Sequence, residues 1–142
     1  METARPGGED LAGYELLLRA GFSAAHQLRL GDGRLEPLHG HNWRVEVFLT
    51  GSGLDESGLL ADFTVLQPRL QQITGELHDT FLNEHPAFAS DNPSTELIAK
   101  YIHDGFAGHI PPPVRLVKVR VWETDDCAAA YVPGEVGTDP ET

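Results

Sequence analysis

Three histidines in a short window of this 142-residue chain have the spacing of metal ligands. His39 and His41 are two residues apart, and side chains at that spacing point to the same face of a strand. His26 shares the parity of an alternating apolar run that starts at Tyr14, and a second such run continues from His41 to Leu49. This alternation predicts a strand that ends in one histidine and a second strand that begins with two.

An antiparallel hairpin of these strands would bring the three imidazoles together at one end of an apolar face. Three protein ligands with a fourth, exchangeable position are typical of catalytic zinc. We therefore predict one zinc ion per subunit, held by His26, His39 and His41. The alternative is that these are hairpin-end histidines, one of them buried and hydrogen-bonded to the backbone.

Short motifs around the histidines extend the pattern through the chain. They are FSAAH at 22–26, HGHNW at 39–43, GLLADF at 58–63, LN at 82–83, NPSTE at 92–96, and WET at 122–124 followed by Tyr131. With these motifs, the chain resembles the 6-pyruvoyltetrahydropterin synthase and 6-carboxytetrahydropterin synthase family over residues 14–132. The resemblance implies the tunnelling fold, a zinc-dependent lyase acting on 7,8-dihydroneopterin triphosphate, and two stacked trimers that form a homohexamer.

The loop before His39 lacks the cysteine that the resembling enzymes use there as a base. Glu36 stands three residues before His39 instead. The resemblance implies that members with this glutamate form 6-hydroxymethyl-7,8-dihydropterin. A carboxylate is ionised at neutral pH, and desolvation would raise its pKa toward the range where general bases work best, whereas zinc would lower it. We predict Glu36 as the catalytic base; the alternative is a solvated loop glutamate.

A second catalytic element is expected where the first helix ends, at His78 and Asp79. The resembling enzymes have an Asp-His pair there that relays protons, and this chain has the two residues in the reverse order. Neighbouring helical residues point about 100° apart, so the reversal matters unless the helix end shifts by one residue. A catalytic relay and a surface ion pair both remain open.

Glu123 ends an apolar strand face predicted to contain Val117, Val119 and Val121. A carboxylate in that place needs a partner. The guanidine-like edge of a pterin ring offers two N–H donors, and a carboxylate can accept both. The resembling enzymes use a glutamate at this motif for that purpose, so we predict that Glu123 binds the ring. The other predicted substrate-binding residues are Thr95 and Glu96, and the weaker candidates for the triphosphate are Arg29, Arg34 and Lys100.

Helical periodicity places two helices between the strands. Thr64 and Gln67 form a predicted capping box for the first, whose apolar stripe includes Phe63. Asn92 is predicted to cap the second, which would end near Gly108. The order ββααββ predicts an α+β fold: a four-stranded antiparallel sheet with both helices on one face. The other face carries Arg44, Glu46, Lys118 and Arg120, as expected for the inner wall of a barrel shared between subunits.

Composition bounds the remaining possibilities. The length indicates a single domain, residues 1–142, with a core at about 14–132 and loose tails at 1–13 and 134–142. The formal charge of −12 argues against nucleic acid or an anionic membrane as a partner. We expect no signal peptide and no membrane span. The single cysteine, Cys127, favours a reducing cytoplasm.

Three hypotheses follow for the function. The first is a pterin synthase-family lyase in which Glu36 replaces the loop cysteine. The second is 6-carboxy-5,6,7,8-tetrahydropterin synthase activity in queuosine biosynthesis, against which the absent cysteine counts. The third is a non-catalytic domain that holds zinc and binds a pterin.

Overall fold

A computed structural model describes residues 12–134 of the chain. The elements in chain order are β1 (Tyr14–His26), β2 (His39–Gly51), α1 (Phe63–Leu77), β3 (Thr80–Phe81), α2 (Thr95–Ala107), β4 (Arg115–Trp122) and β5 (Ala128–Tyr131). Two short 3-10 helices, Leu82–Glu84 and Pro86–Phe88, lie between β3 and α2. The predicted tails fall almost entirely outside the described residues.

The strands form one five-stranded sheet in the order β3-β1-β2-β4-β5. β1 and β2 pair antiparallel along their whole length, from Tyr14 opposite Gly51 to His26 opposite His39. The β2–β4 and β4–β5 pairs are also antiparallel, as predicted. The unpredicted strand β3 pairs parallel with β1, so the sheet is mixed. β3 has only two residues, too few to show a period of two in the sequence.

Both helices pack on one face of this sheet and enclose a continuous apolar core. Trp43, Val45, Val47 and Leu49 of β2 are almost fully buried there. The helices contribute their own buried stripes: Leu66, Leu70, Ile73 and Leu77 from α1, and Ile98, Ile102 and Phe106 from α2. The predicted α+β layering is therefore confirmed. Phe63, predicted to pack on the sheet, is instead about half exposed because it is the first residue of α1.

Both predicted helix caps were wrong by a few residues. Asp62 caps α1, and its carboxylate accepts a hydrogen bond from the Thr64 amide at 2.9 Å, so Thr64 is already inside the helix. Ser94 caps α2 and accepts from the Leu97 amide at 3.1 Å. Asn92 cannot serve as that cap because its side chain is bonded to the backbone of Arg29.

An irregularity in the β2–β4 pairing changes which residues of β4 face the core. The register shifts between Phe48 and Leu49, so that Leu49 pairs with Leu116. Leu116 is buried, whereas Val117 is only partly buried. The predicted alternation thus holds for Val119 and Val121 but fails for Val117, because one extra residue in a strand moves the next side chain to the other face.

The opposite face of the sheet is polar, as the sequence predicted. Glu46 lies 3.3 Å from Arg19 and 3.6 Å from Arg120, and accepts a hydrogen bond from the Trp122 indole at 3.0 Å. The guanidinium of Arg44 lies 5.5 Å from the centre of the Trp122 ring. This face is therefore a network of charges and aromatic rings rather than a second apolar core. Within residues 12–134, no helix combines the length and apolar character needed to cross a bilayer.

Candidate metal centre and active site

The three predicted histidines meet where the β1–β2 hairpin opens into its loop. His26 pairs with His39, and His41 pairs with Ala24, one step further along the same face. The imidazole centres are 4.6 to 5.3 Å apart. Potential ligand atoms of these histidines and of Glu123 all lie within 4.8 Å of one another. The structure thus brings together all three predicted metal ligands and adds a carboxylate.

Backbone carbonyls orient two of the imidazoles. Nδ1 of His26 lies 2.9 Å from the Pro93 carbonyl, and Nδ1 of His39 lies 2.8 Å from the Pro37 carbonyl. A carbonyl can only accept, so each Nδ1 donates, and in a neutral imidazole with this tautomer Nε2 carries the free lone pair. Sequence reasoning missed Pro37 and Pro93, because a backbone carbonyl leaves no signal in residue type.

Two of the imidazole nitrogens are buried and unpaired. Nε2 of His26 and Nε2 of His41 have no hydrogen-bond partner among residues 12–134. A buried polar atom without a partner is costly, and a metal ion would remove that cost. Imidazoles oriented by second-shell carbonyls beside a carboxylate form a donor set that fits zinc.

An indole forms the floor of the histidine group. Trp43 is 1% exposed, meets His26 and His41 edge-on, and donates its indole N–H to the Ala24 carbonyl at 3.1 Å. Burial lowers the pKa of His41, and the Glu123 carboxylate only partly offsets this effect. The lowered pKa favours the neutral imidazole, which is the form that binds a metal.

Glu123, directly after β4, joins the strand to the start of α2. Its Oε1 accepts a hydrogen bond from the Thr95 hydroxyl at 2.6 Å. Its Oε2 lies 3.3 Å from Nε2 of His41, outside hydrogen-bonding geometry. Glu96 is exposed on the first turn of α2 and makes no hydrogen bond through its side chain to any described residue. The structure therefore brings Thr95 to the histidine group but not Glu96.

Glu36 lies against the same group from the loop side. Its Oε1 accepts a hydrogen bond from the Leu28 amide at 3.0 Å and lies 3.6 Å from Nε2 of His39. The side chain is 24% exposed, so solvent or a substrate can reach it. Within residues 12–134, Oε2 of Glu36 has no hydrogen-bond donor, whereas Oε1 is held by the Leu28 amide.

His78 and Asp79 lie beside the outer edge of β1, where both contact the backbone of Ser23. Nδ1 of His78 accepts from the Ser23 amide at 3.0 Å, and Nε2 lies 3.4 Å from the Asp79 carboxylate. Asp79 adopts a left-handed backbone with φ of 58°, a conformation that aspartate tolerates better than most residues. The two side chains are 51% and 78% exposed. Within the described chain, neither has a hydrogen bond or ion pair to Glu36 or to the histidines.

The sequence of this chain matches a known protein family. The sequence profile described as 6-pyruvoyl tetrahydropterin synthase matches residues 15–134. This chain belongs to that family. It is 33% identical to 6-carboxy-5,6,7,8-tetrahydropterin synthase of Bacillus subtilis over 132 residues, which are 87% of this chain and 88% of the relative. It is 32% identical to dihydroneopterin monophosphate aldolase of Pyrococcus furiosus over 111 residues, 78% of this chain and 90% of the relative.

The fold comparison agrees with the family assignment. The 6-pyruvoyl tetrahydropterin synthase of Caenorhabditis elegans superposes with a TM-score of 0.75 at 21% identity, covering 87% of this chain and 98% of that structure. This superposition confirms the predicted tunnelling fold. The profile match and the relatives confirm the predicted enzyme class, a lyase of the 6-pyruvoyl tetrahydropterin synthase family. The strand count is five rather than four.

Proposed function

We propose that this protein is a zinc-dependent lyase that acts on 7,8-dihydroneopterin triphosphate and releases 6-hydroxymethyl-7,8-dihydropterin. The observation that carries the proposal is the position of Glu36, whose carboxylate lies 3.6 Å from His39 at the edge of the histidine group. The loop of residues 27–38 contains no cysteine, so a carboxylate is the base available there.

The residues divide the chemistry between them. His26, His39 and His41 would hold the zinc ion, which when bound supplies a Lewis acid that lowers the pKa of substrate hydroxyls. Glu36 would accept a proton through Oε2, because its Oε1 is held by the Leu28 amide and the orientation of the carboxylate is thereby fixed. Among solved structures of this family is a Plasmodium vivax synthase, 21% identical to this chain with a TM-score of 0.70, in which a glutamate described as a catalytic residue is replaced by alanine.

Recognition of the pterin ring is assigned to Glu123. Its carboxylate would accept two N–H donors from the guanidine-like edge of the ring, and the Thr95 hydroxyl would fix its orientation. A competing role as a fourth metal ligand is favoured by the distance of 3.3 Å between Glu123 Oε2 and His41 Nε2. Replacing Glu123 distinguishes the two roles. The loss of a metal ligand would lower the affinity for zinc, whereas the loss of a ring acceptor would lower only the affinity for the pterin. Glu96 lies in the family motif NPSTE at 92–96, and we propose it as a further substrate contact on that ground.

The relay proposed for His78 and Asp79 is assigned to a site on a neighbouring subunit. The pair is exposed at the edge of the sheet, and among the described residues it has no hydrogen bond or ion pair to the histidine group of its own chain. We propose a homohexamer of two stacked trimers, in which joined sheets cover the exposed edge strands.

The proposed location is the cytoplasm, supported by a single cysteine, and the charge of −12 supports neither nucleic acid nor a membrane as a partner.

A second candidate function is 6-carboxy-5,6,7,8-tetrahydropterin synthesis. The 33% identity to the Bacillus subtilis enzyme favours it. The position of the cysteine opposes it, because Cys127 lies in the exposed turn between β4 and β5 and not in the loop before His39.

Product analysis tests the proposed function. The zinc-loaded protein is incubated with 7,8-dihydroneopterin triphosphate and, in a second arm, with the monophosphate that the name of the Pyrococcus furiosus relative indicates, and the products are identified by mass. We expect 6-hydroxymethyl-7,8-dihydropterin from the triphosphate. A 6-carboxy or 6-pyruvoyl product would contradict the proposed reaction. Turnover of the monophosphate alone would contradict the proposed substrate. Tight binding without any product would support a non-catalytic pterin-binding domain.

A further inference from the structure

Two asparagines hold the chain segment that follows β1. Asn83 accepts a hydrogen bond from the Gln27 amide at 2.9 Å and donates to the Gln27 carbonyl at 2.7 Å. Asn92 does the same for Arg29, at 2.7 and 3.0 Å. Each side-chain amide thus pairs with both backbone groups of one residue, as a neighbouring strand would. Because these residues are two apart, both asparagines bind the same edge of the segment.

The residue between these two positions faces the other way and holds Glu36. The Leu28 amide donates to the Glu36 carboxylate, and the Glu36 amide donates to the Leu28 carbonyl, each at 3.0 Å. Residues 27–29 are therefore held on one edge by the asparagines and on the other by Glu36. The loop beyond contains Gly31 and Gly33, which do not restrain its path by themselves.

We propose that Asn83 and Asn92 are positioning residues for the base, a role that rests on the proposed function of Glu36. They fix the Leu28 amide, and that amide fixes the Glu36 carboxylate beside His39. Neither asparagine has a hydrogen bond to a histidine of the group. Asn92 also precedes Pro93, whose carbonyl orients His26, but the Asn92 side chain is bonded to Arg29 and not to that carbonyl.

Replacing either asparagine tests the proposal. In Asn83→Ala and Asn92→Ala we expect kcat to fall roughly 10- to 100-fold, because a displacement of about 1 Å can cost that much, while KM and zinc content stay within about twofold. Hydrogen exchange at the Leu28 amide, measured by NMR, should become at least about tenfold faster, because the backbone that carries this amide is no longer held.

The matched control is Gln67→Ala. Gln67 also donates from its side-chain amide to a backbone carbonyl of β1, that of Arg19, at 2.6 Å, but seven residues from His26. This variant should keep the parental kcat and the parental exchange of the Leu28 amide. Asn92→Asp keeps an acceptor for the Arg29 amide and loses the donor, so its kcat should lie between those of the parent and Asn92→Ala.

Unchanged kcat together with unchanged Leu28 exchange in the alanine variants would overturn the proposal. If an alanine variant fails to fold, the aspartate variants at both positions decide by the same two measurements, and parental values there overturn it as well. The exchange measurement needs no turnover. The alanine variants could lose protection of the Leu28 amide while Glu36→Gln remains fully active. In that case Glu36 is not the base, but the asparagines still hold residues 27–29.

Discussion

At the scale of single residues, two carboxylates border the histidine group from different elements. Glu36 comes from the loop and is oriented by a backbone amide, whereas Glu123 follows β4 and is oriented by the Thr95 hydroxyl. Both are partly exposed and can meet a substrate. We therefore expect different tasks for them, proton transfer for Glu36 and ring recognition for Glu123.

Glu36→Gln should separate catalysis from binding. The amide keeps the size of the side chain and still accepts from Leu28, but cannot take up a proton. We expect turnover to fall by ~10²–10⁴ while zinc and pterin binding persist. Steady-state kinetics with equilibrium binding measures this, and Glu56→Gln, in an exposed loop, is the control. Parental turnover in Glu36→Gln would assign the base to another residue, with His78 or Asp79 next.

Glu123→Ala should weaken pterin binding by roughly 1–3 kcal/mol, because two ring donors lose their acceptor. Zinc affinity should change little if the histidines alone hold the metal. Calorimetric titrations with a dihydropterin and with zinc measure the two effects separately. A large loss of zinc affinity with unchanged pterin affinity would make Glu123 a metal ligand instead.

At the scale of elements, the sequence predicted the long features and missed the short ones. β1 and β2 have 13 residues each, so their alternation was long enough to predict that the three histidines meet at one end of an apolar face. β3 has only two residues, and the shift in the β2–β4 pairing inserts a single extra residue into β4. Both features are too short to leave a periodic signal in the sequence.

The contacts that complete the site were beyond prediction for a related reason. The carbonyl that orients His26 is 67 residues away in the chain, and the asparagines that hold residues 27–29 are 56 and 63 residues from their partners. Such pairs depend on the path of loops, which residue type and spacing do not encode.

The cap of α1 predicts a dependence of stability on pH. Hydrogen bonds from the hydroxyl and then the amide of Thr64 lower the pKa of Asp62. A lowered pKa stabilises the fold above the ordinary aspartate pKa of about 3.9, and that contribution is lost as pH falls through the folded value.

The matched variant for this cap is Asp62→Asn, since asparagine also caps a helix but does not titrate. The melting temperature of the parent should therefore exceed that of the variant at neutral pH. The difference should shrink as the pH falls toward about 3. Thermal melts of both proteins across that range measure the effect, and a difference that grows on acidification would contradict the assigned cap.

At the scale of the whole molecule, the exposed His78–Asp79 pair and the polar sheet face are the features that a subunit assembly would cover. The site of one chain contains the histidines, Glu36 and Glu123, while His78 and Asp79 lie at its outer edge. The charged network around Glu46 on the opposite sheet face would line the interior of a barrel formed by joined sheets.

Subunit mixing tests whether the relay acts between chains. His78→Ala and Glu36→Gln should each be nearly inactive. Co-refolding them at equal amounts should restore about a quarter of the parental activity, because one site in four would then combine an intact Glu36 with an intact His78 from the neighbour. Sedimentation of the mixture should show hexamers. If a hexameric mixture recovers no activity, the pair does not act between chains. A monodisperse monomer would contradict the proposed assembly.

The metal centre is the claim on which the others depend, and competitive zinc titration against a chelator tests it most directly. The parent should bind about one zinc ion per chain, because the buried Nε2 atoms of His26 and His41 have no hydrogen-bond partner among the described residues. His41→Ala should lose tight binding, and His109→Ala, on the surface beside Arg69, should bind like the parent. A parent that takes up no zinc, or a His41→Ala variant that binds it as tightly as the parent, would contradict the account.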